Sequence, residues 1–277
     1  MDVRGSLVCV GTGMMLGAHL GPRARRHIEH ADVVFVAVSD PLVELWLQQM
    51  HPDVRSLQPL YAEDRSRRDT YEAMVDALLT EVRAGRHVVG AFYGHPGVFA
   101  RAPHAAIAQA RAEGFDAVME PGISAEDCLY ADLGIDPGTF GCQHYEASQF
   151  MLFQRRIDPS AYLILWQVGL AGDRSLRRTH TSPAERQLLV DLLATDYPLD
   201  HEVIAYEAAT LPISQVRREH LILATLAHAR LEPHTTLVVP PCRPLQPNLA
   251  LREKLAALDP GNTASAHPAV AIPSALT

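Results

Sequence analysis

Excess positive charge, paired cysteines and long apolar runs are all missing from this 277-residue chain. Lys and Arg number 24 against 32 Asp and Glu, a formal charge of −8. That balance argues against a nucleic-acid surface as the main business of the protein, and no basic groove with interleaved aromatics is visible. Four cysteines are present, Cys9, Cys128, Cys142 and Cys242, widely spaced and without a C-x-x-C pair. Neither a zinc cluster nor a disulfide framework follows from them, so no metal site is expected. The longest strongly apolar stretches, such as "VVFVAV" at 33 to 38, are far shorter than the roughly 20 residues that cross a bilayer. With no secretory signal either, the expected address is the cytoplasm.

What the chain has is a composition 48% hydrophobic, enough to bury a large core. Short β-branched runs alternate with helical segments. Strands are expected at 6–10, 33–38, 87–92 and 116–120, with helices near 22–30, 42–50, 70–84 and 103–113. Continuous apolar strands alternating with helices indicate a parallel sheet covered on both faces. After Pro121 and Gly122 a second set begins: helices near 125–133, 184–196 and 216–230, and strands at 161–168, 202–208 and 235–241. The expected organisation is therefore an N-terminal α/β domain (1–120), a C-terminal α/β domain (121–242), and a short helix with a mobile tail (243–277).

Several stretches could carry chemistry. "VCVGTGMMLG" puts Gly11, Gly13 and Gly17 directly after the first strand, either as a tight turn or as a loop that lets a ligand approach the backbone. "FYGHPGVF" (92–99) begins where a buried strand should end, the ligand-binding edge of an open α/β sheet. Gly94, Pro96 and Gly97 leave little side chain there, while Tyr93 and His95 offer hydrogen-bonding groups. Ser124 reads as a helix N-cap, with Glu126 and Asp127 in the first turn. Gln167 ends a strongly apolar strand, and a buried amide there would need a partner from protein or ligand.

"EDRSRRDTYEAM" (63–74) crowds Arg65, Arg67 and Arg68 against the start of a helix, where cations are unfavourable. Asp69 and Glu72 have the spacing of a capping box, which predicts Asp69 as the N-cap and Tyr71 in the first turn. Tyr71 would share a face with Met74, Val75 and Leu78. It is either a core tyrosine or, together with nearby Tyr61, a phenol whose pKa Arg67 and the helix dipole lower.

Taken together, "SRRDTYEAM", "VVGAFYGHPGVF", "PGISAEDCLYADLGIDP", "YEASQF" and "LILWQVGLAG" resemble the borosin peptide backbone α-N-methyltransferases, part of the wider tetrapyrrole (precorrin) methylase superfamily. The similarity runs in order from about Gly5 to Pro241. General tetrapyrrole methylases show an acidic residue where this chain has His95. The resemblance implies the tetrapyrrole methylase fold, with two α/β domains and S-adenosylmethionine (SAM) in the cleft between them, in a homodimer. It implies that Tyr93, His95, Val98, Phe99, Ser124, Ala125, Gln167, Tyr206, Ala208, Thr235 and Thr236 contact or frame the cofactor. Tyr61, Arg67, Tyr71 and Tyr93 would be catalytic, leaving Arg65 and Arg68 as surface charges or contacts for an acidic precursor. The expected reaction is iterative methylation of backbone amides in a ribosomally made precursor peptide. Fungal relatives carry that substrate on the same chain behind a clasp-like domain. The short stretch after Pro241 points instead to the split bacterial type, acting in trans, or to "AVAIPSALT" as a minimal self-substrate. A tetrapyrrole or other small-molecule methyltransferase is the alternative. Where fungal members have an additional tyrosine before Tyr61, this chain has Gln58 and Pro59.

Overall fold

The computed structural model describes residues 5–38, 40–61, 66–175, 178 and 180–258. The chain first builds β1 (Ser6–Gly11), α1 (Pro22–Glu29), β2 (Val33–Ala37), α2 (Pro41–Gln48), β3 (Val54–Ser56), α3 (Arg67–Arg83), β4 (His87–Phe92), α4 (Arg101–Ala112), β5 (Asp116–Met119) and α5 (Ala125–Leu133). It continues with α6 (Pro137–Phe140), β6 (Cys142–Glu146), α7 (Ala147–Leu152), β7 (Tyr162–Trp166), α8 (Pro183–Leu193), β8 (Glu202–Glu207), β9 (Arg217–Ile222), β10 (Thr236–Val239) and α9 (Leu249–Leu258). These elements fall into two units. One contains the chain up to Asp132 together with Ala208–Val216, and the other contains Leu133–Arg174, Arg178–Glu207 and the chain from Arg217.

In the first unit five parallel strands lie in the order β3-β2-β4-β1-β5. Alternation along β1 sends Leu7 and Cys9 to one face and Val8 and Val10 to the other. Leu7 and Cys9 join Met74, Leu78, Val82 and Ala106 beneath α3 and α4. Val8 and Val10 join Ala24, Ile28, Val43 and Leu47 beneath α1 and α2. Each such fully buried aliphatic side chain contributes about 1.5–3 kcal/mol, which is why these strands read as unbroken apolar runs. The connection from β1 to β2 passes over β4, and the one from β4 to β5 passes over β1. Their loops therefore leave adjacent strand ends in opposite directions, which makes the carboxyl edge between β1 and β4 a topological switch point.

The second sheet has the order β6-β7-β10-β8-β9, with only the β6–β7 pair parallel. The helix expected near 216–230 is absent. Arg217–Ile222 is instead an edge strand antiparallel to β8, followed by a 3-10 turn at Leu223–His228. Polar Arg-Arg-Glu-His suits a strand with one pairing edge open to water, and the buried apolar residues of the segment, Leu223, Leu226 and Ala227, all lie in the turn. Helix α8 carries a full capping box between Ser182 and Glu185. The tail from residue 259 onward, expected to be mobile, lies outside the described residues.

Candidate active site

Three glycines bring three loops together at the carboxyl edge of the first sheet. A Cβ on Gly11 would stand 2.3 Å from the Gly94 carbonyl oxygen and 2.9 Å from the Gly122 Cα, and one on Gly122 would stand 2.7 Å from the same oxygen. The loop after β1 and the loop after β4 also pair through reciprocal Gly13–Gly94 backbone bonds of 3.1 Å each. "FYGHPGVF" is therefore a fixed loop. Gly94 has φ +65° and Phe99 φ +49°, values that put Phe99 in the sparsely populated left-handed region. The His95 Nδ1 accepts from the Gly97 N–H at 2.9 Å, and Val98 and Phe99 stay exposed. Two apolar side chains thus stand on a loop whose backbone carries little bulk.

Beside it lies a cavity of about 140 Å³ lined by Tyr61, Tyr71, Met74, Phe92, Tyr93 and Phe99, and closed by the first turn of α4. The three tyrosines of the expected catalytic set thus share one cavity, while Arg67, the fourth member, is not among its lining residues. Tyr61 follows a 3-10 turn at Gln58–Leu60, which the Gln58 amide pins by donating to the Val38 carbonyl. Tyr71 packs on the cluster containing Met74, Val75 and Leu78, as its helical spacing predicts. A residue the sequence reading passed over joins the two segments. Thr70 is buried, and its hydroxyl lies within hydrogen-bond distance of the Leu60 carbonyl (3.3 Å) and the Ser66 carbonyl (3.2 Å).

The capping prediction needs correcting. Ser66, not Asp69, is the N-cap: its hydroxyl accepts from the Asp69 N–H at 3.2 Å, and α3 begins at Arg67. Asp69 is the acid of the first turn, and Tyr71 falls in the second. Replacing Ser66 by Ala should therefore cost about 1 kcal/mol in urea unfolding, whereas Asp69→Asn should cost less, because only the dipole contact is weakened. Arg68 is a surface residue paired with Glu72 one turn on, and Arg65 lies outside the described residues.

Electrostatics also revise the reading of Tyr61. Although Tyr61 is 47% exposed overall, desolvation at its cavity side pushes its pKa up to about 12; the neighbouring Tyr71 adds to that rise by charge and hydrogen bond, and Arg67 opposes it without prevailing. A hydrogen bond that raises a phenol's pKa is one the phenol donates, so Tyr61 is a protonated donor toward Tyr71 at neutral pH. The lowered pKa expected from Arg67 does not hold for Tyr61. Burial also raises the pKa of Tyr93, with a smaller contribution from Cys128.

Ser124 caps α5 as expected. Its hydroxyl accepts from the Asp127 N–H, and the Asp127 carboxylate accepts in return from both the Ser124 N–H and hydroxyl at 2.7 Å. Ala125 is the first residue of that helix.

In the second unit Gln167 is exposed, not buried, and sits in the left-handed region at φ +58°, where β7 turns into a 3-10 turn. Its amide therefore faces water and carries no burial cost. Buried Tyr206 stands opposite buried Thr236 in the β8–β10 pair. Next to it the Thr235 hydroxyl donates to Glu207 and accepts from the Glu232 N–H. Burial alone would raise the Glu207 pKa, but its bonds from Thr235 and Arg217 outweigh that and hold it low. Of this group only Thr235 was named from the sequence; its links to Glu207 and Arg217 join separate segments and carry no local motif. Ala208, the next residue on, falls with the first unit.

The chain matches the family model of the tetrapyrrole (corrin/porphyrin) methylases over residues 6–224. It is 42% identical over 224 residues, 80% of its own length, to a methyltransferase/ribosomally synthesized type I borosin cyclic peptide precursor of Coprinopsis marcescibilis. It is 37% identical over 261 residues, 93% of its length, to the methyltransferase/omphalotin A precursor of Omphalotus olearius. The chain spans 57% and 63% of the lengths of these two relatives. Among solved structures, uroporphyrin-III-C-methyltransferase from Thermus thermophilus superposes with a TM-score of 0.60 at 23% identity, covering 85% of this chain and 92% of that one, a likeness of fold. The all-parallel sheet with its switch-point loops, the family match from β1 through β9 and the borosin-like motifs agree: this chain belongs to the tetrapyrrole methylases, and within them it resembles the borosin precursor methyltransferases.

Proposed function

We propose that this protein is a SAM-dependent methyltransferase that methylates backbone amides of a separate, ribosomally made peptide. The observation that carries the reading is the convergence of Tyr61, Tyr71 and Tyr93 on one cavity beside the glycine-built switch-point loops. A peptide nitrogen is a poor nucleophile because its lone pair is delocalised into the carbonyl. It needs a proton acceptor, a donor for the oxygen as imidate character develops, and alignment with the methyl.

The residues fit the cofactor. Exposed Val98 and Phe99 offer an apolar face, Gly94 and Gly97 keep the loop backbone open, and the exposed Gln167 amide supplies hydrogen-bonding groups. Tyr93, His95, Ser124, Ala125, Tyr206, Ala208, Thr235 and Thr236 complete the proposed set, and the working form is a homodimer. Bound SAM supplies an electrophilic methyl on a positively charged sulfur. The chain's own part is proton and charge handling. Tyr71, acting as the phenolate, would take the proton that the amide nitrogen gives up on accepting the methyl and become a neutral phenol, while the electrons of the methyl–sulfur bond leave with the neutral thioether. Tyr61, protonated and already a donor, turns with Arg67 toward the carbonyl oxygen that gains negative charge.

The test is to incubate the purified chain with SAM and a synthetic Val/Ile/Ala-rich peptide and to weigh both. Successive methyl additions on the peptide, with the protein's own mass unchanged, are expected. Additions confined to the protein would make it a self-methylating enzyme. SAM consumption only with a tetrapyrrole would overturn the peptide reading.

A further inference from the structure

The tyrosine cavity has a charged member that the motifs do not include. Arg101 lines it as the first residue of α4. Among the described residues no carboxylate lines the cavity, and Arg101 makes no ion pair or hydrogen bond there. Its place in the helix compounds this. Helix α4 has neither a side-chain cap nor an acid in its first turn, so its N-terminal N–H groups add positive potential on the same side. A cation at that position is unfavourable for the helix by a few tenths of a kcal/mol, yet the side chain lies at the mouth of the cavity and is exposed.

We infer that Arg101 is a specificity-determining residue, which selects a peptide with a carboxylate next to the residue lodged in the tyrosine cavity and disfavours one with a cation there. This rests on the peptide-substrate reading, and it goes beyond that reading by naming the chemistry of the flank. The recognition is electrostatic. The guanidinium is always charged and presents several donors to a carboxylate. At a partly exposed site such a pair discriminates by about three-fold against a neutral flank, and more against a positive one.

The experiment measures binding, so that it stands apart from catalysis. Short dansylated Val/Ala peptides with a central Asp, Asn or Lys are titrated against the full chain with S-adenosylhomocysteine present, by fluorescence anisotropy. The expected order for the native protein is Asp, then Asn, then Lys, with the Asp preference shrinking toward unity at high salt. Arg101→Glu should reverse the order, and Arg101→Lys should keep its direction. Arg101→Glu puts an acid at a helix start, so the variant should melt no lower than the native protein, which separates lost preference from lost folding. Equal binding of all three peptides by the native protein, or an unchanged order in Arg101→Glu, overturns the inference. Absence of methylation with the Asp preference intact would instead count against the proposed reaction alone.

Discussion

If the proposed function holds, replacing Tyr71 by Phe should lower peptide methylation by at least about 100-fold, the range for losing a positioned acid–base group, while SAM affinity measured by calorimetry should stay close to native. The ring of Tyr71 packs against Met74, Val75 and Leu78, and Phe preserves that packing, so folding is spared and only the oxygen is lost. That oxygen accepts from Tyr61, whose own pKa is held near 12 by burial first and by Tyr71 second. The assignment has a pH signature. Tyr61 favours its protonated form below about 12, so it serves as donor throughout the neutral and mildly alkaline range. Tyr61→Phe should then scale the rate down at every pH without changing the slope of the profile. Were Tyr61 the base, the native rate would climb tenfold per pH unit toward 12, and Tyr61→Phe would abolish that climb. Full activity in Tyr71→Phe would remove the scheme.

Much of this site could be read from the chain because its chemistry sits in short, contiguous words. Tyr93 through Phe99 form one loop, and Ser66 through Tyr71 begin one helix. Three features were not legible, each for a physical reason. The start of α3 was misplaced because Ser66 and Asp69 have the same spacing as Asp69 and Glu72, and a capping box read from spacing alone fits both. Only the Ser66 hydroxyl on the Asp69 N–H separates them. The raised pKa of Tyr61 follows from burial at the cavity, a tertiary fact that outweighs the nearby Arg67. Thr70 lies inside "SRRDTYEAM" without being singled out there and Arg101 falls outside the quoted motifs; their roles come from reaching another segment or an open cavity.

The fold divides the same way. Central strands such as β1, β4 and β7 are buried on both faces, so they stand out as apolar runs. The missed strands β3, β6 and β9 are all sheet edges. Every residue of β6 is only half-buried, and β9 opens with three successive charged residues, Arg217, Arg218 and Glu219. Edge strands need hydrogen-bond partners on one side only and avoid long apolar faces, so their composition looks like loop or surface helix. Gln167 shows the complementary error. The apolar run Tyr162–Trp166 suggested continued burial, but the left-handed backbone at Gln167 puts that one side chain in water, while Val168, Gly169 and Leu170 are buried again.

Gly11→Ala should destabilise the protein by about 3 kcal/mol, the upper range for forcing extra volume into a packed site, read as a lowered urea midpoint with unchanged slope. The argument is purely steric, since Gly11 does not use a positive φ and alanine suits its strand. The added carbon would meet the Gly94 carbonyl oxygen at 2.3 Å and the Gly122 Cα at 2.9 Å, both backbone atoms that no rotamer change can withdraw. Gly21→Ala supplies the contrast, because nothing lies within 4 Å of its added carbon and the cost should be below about 1 kcal/mol, that of a poorer N-cap residue. Relief in Gly11→Ala requires moving the Gly94 carbonyl as well as the Gly122 backbone, which breaks the Gly13 pairing and shifts the Gly94–His95 peptide next to Tyr93. Methyl transfer should therefore fall further than the folded fraction does, even where most molecules remain folded. A variant that is destabilised but catalytically intact per folded molecule would mean that the three-glycine junction braces the sheet edge without setting the position of Tyr93.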